Sequence, residues 1–257
     1  MDEPQVPADP DDEAEIPESH PRYESLLTRH RIEDGLEKGI TSRQGLIAQG
    51  RGEAYDYLLG ERTLESADEA ARAAAAALLL ADRPVVSVNG NVAALCPGEV
   101  VELAGATDAD IEVNLFNRTE ERMEAIADHL RDHGAREVKG LAGDGEIPGL
   151  DHARATVDAD GIESADTVLV PLEDGDRAEA LGAMGKTEIV IDLNPLSRSA
   201  QTATIPIVDN IIRAVPNATA HARDLQDASQ TDLRAIVESF DAAAALDAAE
   251  AAIRTGR

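Results

Sequence analysis

Aromatic side chains are nearly absent from this chain: of its 257 residues none is Trp, two are Phe and three are Tyr. That scarcity removes the stacking platforms on which single-stranded nucleic acids are bound. Lysine is almost as rare, occurring only as Lys38, Lys139 and Lys186, so Arg carries nearly all of the positive charge. Asp and Glu number 51 against 23 Lys and Arg, a formal net charge of −28. A surface of that sign argues against nucleic acid and anionic membrane as partners, since both need positive charge opposite them. It suits a salt-loaded, halophilic cytoplasm, where dense carboxylates keep the surface hydrated and salt screens their repulsion. The one cysteine, Cys96, allows no internal disulfide and reads as a small buried hydrophobe. No apolar run reaches the length of a membrane span, the longest being Ala73 to Ala81. The start, MDEPQVPADPDDEAEIPE, is acidic and Pro-rich, the opposite of a signal peptide, so a cytoplasmic protein is expected.

What is present divides into four stretches. Residues 1–18 form an acidic leader with almost nothing to bury, expected to be disordered. Residues 19–82 read as a helical N-terminal segment. Its first helix runs from Pro21 to about Glu37, the second starts at Thr41 and the third covers Glu53 to Leu59. A capping box, Ser66 with Glu69, then opens a long Ala-rich helix to Ala81. From residue 83 to 240 strands and helices alternate. The runs PVVSV (84–88), DIEVNLF (110–116), TVLVPL (167–172), EIVIDL (188–193) and TIPIV (204–208) read as strands, and REVKG as a short further one. A helix covers 119–134 and ends on Gly134, and Pro216 is expected to break the helical stretch after Asn210. Near-continuous β-branched runs between helices predict an α/β fold with a mostly parallel, Rossmann-like sheet covered by helices. Residues 241–257 read as an Ala-rich helical tail.

Several motifs are excluded by spacing or context. Gly185-Lys186-Thr187 resembles the end of a phosphate-binding loop, but Ala180 stands where a Gly is required, and the segment follows a helix and opens a strand. The glycines from Gly143 to Gly149 lack dinucleotide-fingerprint spacing, and Pro148 sits where the helix should start. His20, His129, His133, His152 and His221 show no zinc-ligand spacing.

In an open parallel sheet, ligands bind beyond the carboxyl ends of the strands. The segments there are Asn89-Gly90-Asn91, Asn117-Arg118-Thr119, Glu173 to Arg177, Asp192 to Ser199, and Asp209-Asn210. Each alone reads equally as a turn or a solvated loop. Together they form one polar edge, to which Arg118, Arg177 and Arg198 bring groups that grip carboxylate or phosphate bidentately. A nucleotide or other anionic small molecule is the ligand class this predicts.

The runs SHPRY (19–23), GLIAQGRGEAYDYLLGERT (45–63), VSVNGNVAAL (86–95), NLFNRTEER (114–122), IPGLDH (147–152), VPLEDGDR (170–177) and IDLNPLSRSA (191–200) closely resemble the archaeal phosphopantothenate synthetases, 4-phosphopantoate–β-alanine ligases. The resemblance spans about Ser19 to residue 240. It implies ATP-dependent condensation of 4-phosphopantoate with β-alanine in coenzyme A biosynthesis, through an acyl-adenylate, by a homodimer using ATP and Mg2+. Carried over from the family, ATP contacts fall on Arg29, Arg51, Asp192, Leu193, Asn194, Arg198, Ser199, Asn210 and Ile211. A structural salt bridge is the competing reading for Arg29, Arg51 and Arg198. Asn89, Asn91 and Arg118 are the expected phosphopantoate contacts. Asp174 or Asp176 is expected to orient the β-alanine ammonium or a metal-bound water, against a solvated loop. The metal ligands are not legible. Two rivals remain at this level: an NAD(P)-dependent oxidoreductase, and a non-catalytic nucleotide sensor.

Overall fold

A computed structural model describes residues 16–172 and 175–256. Most of the acidic leader therefore lies outside the described residues, as do Glu173 and Asp174. Three helices precede the first strand: α1 (Tyr23–Glu37), α2 (Arg43–Leu59) and α3 (Glu65–Leu80). Then follow β1 (Pro84–Val88), α4 (Gly90–Leu95), α5 (Pro97–Thr107), β2 (Asp110–Val113), α6 (Glu120–Asp132), β3 (Gly145–Glu146) and β4 (Thr156–Val157). The chain continues through β5 (Thr167–Pro171), α7 (Gly175–Ala183), β6 (Thr187–Ile191), α8 (Arg198–Thr202) and β7 (Ile205–Ile207) to α9 (Ile211–Leu225), α10 (Gln230–Ser239) and α11 (Ala242–Thr255).

The main sheet has the order β2-β1-β5-β6-β7 with every neighbouring pair parallel, so the expected α/β class holds. Its side chains alternate between two apolar layers. Val86, Val88, Leu169, Ile189 and Ile191 face the larger layer, with α3, α5 and α9. Val85, Val168 and Val170 face a smaller one, built with Leu181 of α7 and the segment from Ile147 to Ala165. The smaller layer carries charge. Glu112 and Ser87 are paired in register on adjacent strands, and Arg177 of α7, 1% exposed, donates to the Ser87 hydroxyl at 2.9 Å. Glu112 accepts from the backbone N–H groups of Asp158 (3.1 Å) and Ile162 (2.6 Å), and burial pushes its carboxyl up to about 7.

Several local expectations are corrected. The first helix starts at Tyr23 rather than Pro21, because the distant Glu61 carboxylate accepts from Glu24 N and Ser25 N at 3.0 Å each and so caps it. The second and third expected helices are one, α2, running through Gly50 and Gly52. Gly52 lies against Asn210, whose Nδ2 is 3.2 Å from where a Cβ would stand, so close packing outweighs the weak helix propensity of glycine. Ser66 does not cap α3, whose N-cap is Leu64; Glu65 and Asp68 in the first turn favour the start there by opposing the helix dipole. The second strand stops at Val113, and the REVKG segment contributes only an isolated bridge from Lys139 to Glu112. Pro216 lies inside α9, whose buried face of Ala214, Val215, Ala218 and Ala222 holds the helix together despite the missing N–H.

Candidate active site

The chain leaves β1 toward β2 on one side of the sheet and returns as β5 on the other, so the order reverses between β1 and β5, the position where such sheets bind ligands. Asn89 straddles this point. Its Nδ2 donates to Pro171 O at the end of β5 (3.2 Å), and its Oδ1 accepts from Asn91 N and Val92 N, capping α4. Asn91 ties the same corner to the N-terminal segment, with Nδ2 donating to Gly45 O (3.0 Å) and a close contact between its Oδ1 and the Thr41 hydroxyl.

A cavity of about 890 Å³ opens over these strand ends. One wall is α2, through Ala48, Arg51, Tyr55 and Leu58, so the N-terminal segment lines a site in its own chain. The opposite wall is made by Leu115, Phe116 and Asn117 after β2, Leu172 after β5, and Asp192, Leu193 and Asn194 after β6. The loop after β6 is braced internally. Asp192 accepts from Asn194 N (3.0 Å) and from the Ser197 hydroxyl (2.5 Å), and Ser197 caps α8 by accepting from Ala200 N.

Of the residues singled out in the sequence, Arg51, Asn89, Asn91, Asp192, Leu193, Asn194 and Ser199 line this cavity. Arg29, Arg118, Asp176, Arg198, Asn210 and Ile211 do not. Arg29 grips Glu53 with Nε and Nη2 at 2.5 Å each, and that hydrogen bond holds its guanidinium above the ordinary range. Arg118 donates to Gly140 O at 2.7 Å and holds that loop. Asp176 and Arg198 pair with each other at the surface. Asn210 caps α9 and donates to Asp56 at 2.9 Å, and Ile211 is buried. Asp174 lies outside the described residues.

Asn117, in the strand-end segment after β2, also lines the cavity, and sequence reasoning missed Thr41, Gln44, Tyr55, Phe116, Arg122 and Arg154, all in the lining. For Arg122 a signal existed: Thr119, where the helix over 119–134 was read to begin, accepts from Arg122 N (3.3 Å) as the N-cap, which fixes Arg122 in the first turn of the helix after β2. Three guanidinium groups, those of Arg51, Arg122 and Arg154, thus face the cavity against one carboxylate, Asp192, among the described residues. Neither Arg51 nor Arg122 has an ion-pair partner among those residues. In a protein of net charge −28 this is a local reversal of sign, suited to an anion. No group of three or more His, Cys, Asp or Glu able to hold a metal occurs among the described residues. The donor set fits a hard cation carried in on ligand phosphates, with Asp192 as its protein oxygen, and does not fit an all-protein cage. No described helix is long and apolar enough to cross a membrane.

A model of the phosphopantothenate/pantothenate synthetase family matches residues 66–256. The chain is 59% identical over 227 residues to the 4-phosphopantoate–beta-alanine ligase of Thermococcus onnurineus, covering 88% of this chain and 87% of that protein. It is 57% identical to the protein of the same name in Thermococcus kodakarensis, over 88% of this chain and 87% of that one. The corresponding Methanosarcina mazei ligase is 56% identical, over 88% and 89%.

Proposed function

The chain belongs to the phosphopantothenate/pantothenate synthetase family, and we propose that it joins 4-phosphopantoate to β-alanine at the expense of ATP, giving 4'-phosphopantothenate, AMP and diphosphate in coenzyme A biosynthesis. The observation that carries this reading is the cavity over the sheet's switch point, into whose lining Arg51 and Arg122 bring guanidinium groups with no carboxylate partner among the described residues.

A carboxylate is a poor electrophile and must be activated before an amine can displace anything from it. A carboxylate oxygen of 4-phosphopantoate attacks the α-phosphorus of ATP, the bond to the bridging oxygen breaks, and diphosphate leaves. The β-alanine amine, having lost a proton, then attacks the acyl carbon of the adenylate and AMP departs. No nucleophile from the protein is needed, since both displacements use groups that the substrates carry. The protein's part is orientation and charge stabilisation. Arg51 and the braced Asp192–Asn194 loop receive the nucleotide phosphates, with Ser199 beside them. Asn89 and Asn91 hold the corner at which the acid lies. Mg2+, arriving on ATP beside Asp192, would supply charge neutralisation at the phosphates.

The active unit is a cytoplasmic homodimer in this reading. Exposed apolar side chains of α2 support the dimer: Ile47, Tyr57 and Leu58 are 73%, 82% and 53% exposed, apolar surface that water does not favour. AMP release, measured with 4-phosphopantoate, with pantoate, and with each in the presence of β-alanine, tests the activity. Release of ADP in place of AMP overturns the adenylate route.

A further inference from the structure

Arg122 is held by backbone carbonyls alone among the described residues. From the first turn of α6 its Nη1 donates to Asn117 O at 2.8 Å and its Nη2 to Ile40 O at 3.2 Å. Two neutral carbonyls fix the plane of the guanidinium and cannot neutralise its charge. Its Nε is buried and has no hydrogen-bond partner, no carboxylate lies in ion-pair range among the described residues, and burial lowers its pKa from the ordinary value. A charge withdrawn from water and left uncompensated is unfavourable, and a ligand anion is the missing counterpart. Glycine at 90 lets this corner pack closely: a Cβ there would collide with Ile40 O and stand 3.1 Å from Arg122 Nη2. Arg51 stands on α2 next to Gly52, where a Cβ would lie 3.9 Å from Leu193 Cδ1 in the loop after β6. The ends of β2 and β6 are three strand spacings apart in the sheet, roughly 14 Å. The lining there combines the Asn89–Asn91 corner after β1 with apolar side chains, Leu115 and Phe116 after β2 and Leu172 after β5.

The cavity therefore has guanidinium groups in its lining at Arg122, on the helix after β2, and at Arg51, on α2, with both apolar side chains and the Asn89–Asn91 corner in the same lining. We propose that Arg122 grips the terminal phosphate of the acid substrate, and so sets the preference for a phosphorylated over an unphosphorylated hydroxy acid. This rests on the ligase reading above. With the phosphate anchored at Arg122, the short branched carbon chain of the substrate lies along these apolar side chains, and its carboxylate points toward the α-phosphate of a nucleotide whose phosphates lie at Arg51. Arg118, one helical turn back on the chain, is committed to Gly140 O and lies outside the lining.

Steady-state kinetics of Arg122→Met with 4-phosphopantoate and with pantoate test the assignment. The expected result is a fall of roughly 100- to 1,000-fold in kcat/KM for 4-phosphopantoate, carried by KM, with a far smaller change for pantoate, so that the ratio of the two collapses. The KM for ATP stays within about threefold of wild type. Arg122→Lys restores part of the ratio, and inorganic phosphate, competitive with 4-phosphopantoate in the wild type, loses its inhibition of Arg122→Met. A variant that melts as the wild type does yet keeps the ratio overturns the proposal, as does a ratio that collapses in Arg118→Met and not in Arg122→Met. A wild-type chain that forms no AMP from either acid overturns the ligase reading instead. Calorimetric binding of 4-phosphopantoate, read without turnover, then decides Arg122 by itself: equal affinity in wild type and Arg122→Met refutes it.

Discussion

Arg213 of α9 donates to Asp56 of α2 at 2.6 Å, and through this contact the C-terminal half of the chain holds the helix that carries Arg51 over the open end of the sheet. The same Nη2 reaches Asp209 at 2.8 Å, and both carboxylates are almost wholly buried. Burial works to lower the Arg213 pKa, but the hydrogen bond to Asp56 and the charges of Asp209 and Asp56 hold it above its ordinary range. Arg213→Met leaves two buried carboxylates facing each other, and is expected to cost about 3–5 kcal/mol in denaturant unfolding. It should also raise the KM for ATP, because α2 loses its anchor. A loss below about 1 kcal/mol would mean that the apolar contacts of α2 alone fix its place.

Arg51→Ala removes a guanidinium that makes no ion pair among the described residues, so stability should change by less than about 0.5 kcal/mol. Catalysis should suffer far more: the KM for ATP rises, or turnover falls, by one to three orders of magnitude, roughly the 2–4 kcal/mol of a charged contact to phosphate. Arg62→Ala is the matched comparison, since Arg62 donates to Leu59 O at the C-terminal end of α2 (2.9 Å). Near-native kinetics in Arg51→Ala would reduce Arg51 to a surface residue.

Glu112 makes stability depend on pH. Its folded carboxyl titrates near 7 against an ordinary 4.5, so between those values the folded state holds more protons than the unfolded state. Stability from this group is fully present below about 4.5 and is lost as pH rises through about 7. Glu112→Gln removes the dependence. Relative to wild type, the variant should gain on the order of 2 kcal/mol between pH 5 and pH 8, measured by urea midpoints at each pH. A wild-type-minus-variant difference that is flat with pH would show Glu112 ionised throughout, compensated by Arg177.

With a net charge of −28, repulsion among surface carboxylates opposes folding in dilute buffer and is screened by salt. The melting temperature is expected to rise by several degrees from dilute buffer to molar KCl. An unchanged or lower melting temperature in KCl would remove the salt-adapted reading of the composition.

The sequence by itself determined the five strands of the parallel sheet and the polar edge over which the cavity opens, though not the short β3–β4 pair. PVVSV became β1 residue for residue, and the polar segments after β1, β2 and β6 all reach the cavity, because buried β-branched runs and the polar turns that end them are local signals. Family-like runs gave the chemistry. Decisions between competing local signals belonged to tertiary contact. Glycines at 50 and 52 and Pro216 argued for helix breaks, and packing of α2 and α9 against the rest of the protein overruled them. Pro21 lost the start of α1 to Glu61, a carboxylate far along the chain. The same holds for charge. Sequence marked Arg29, Arg118 and Arg198 as anion ligands, yet Arg29 and Arg198 pair with carboxylates and Arg118 holds the loop at Gly140, all outside the cavity lining, while Arg122, bound only to backbone carbonyls, lines the cavity with no ion-pair partner among the described residues. Arg118 and Arg122 share one strand-end segment; the start of α6 at Glu120 turns one to the loop at Gly140 and the other to the cavity, and only the folded geometry separates them.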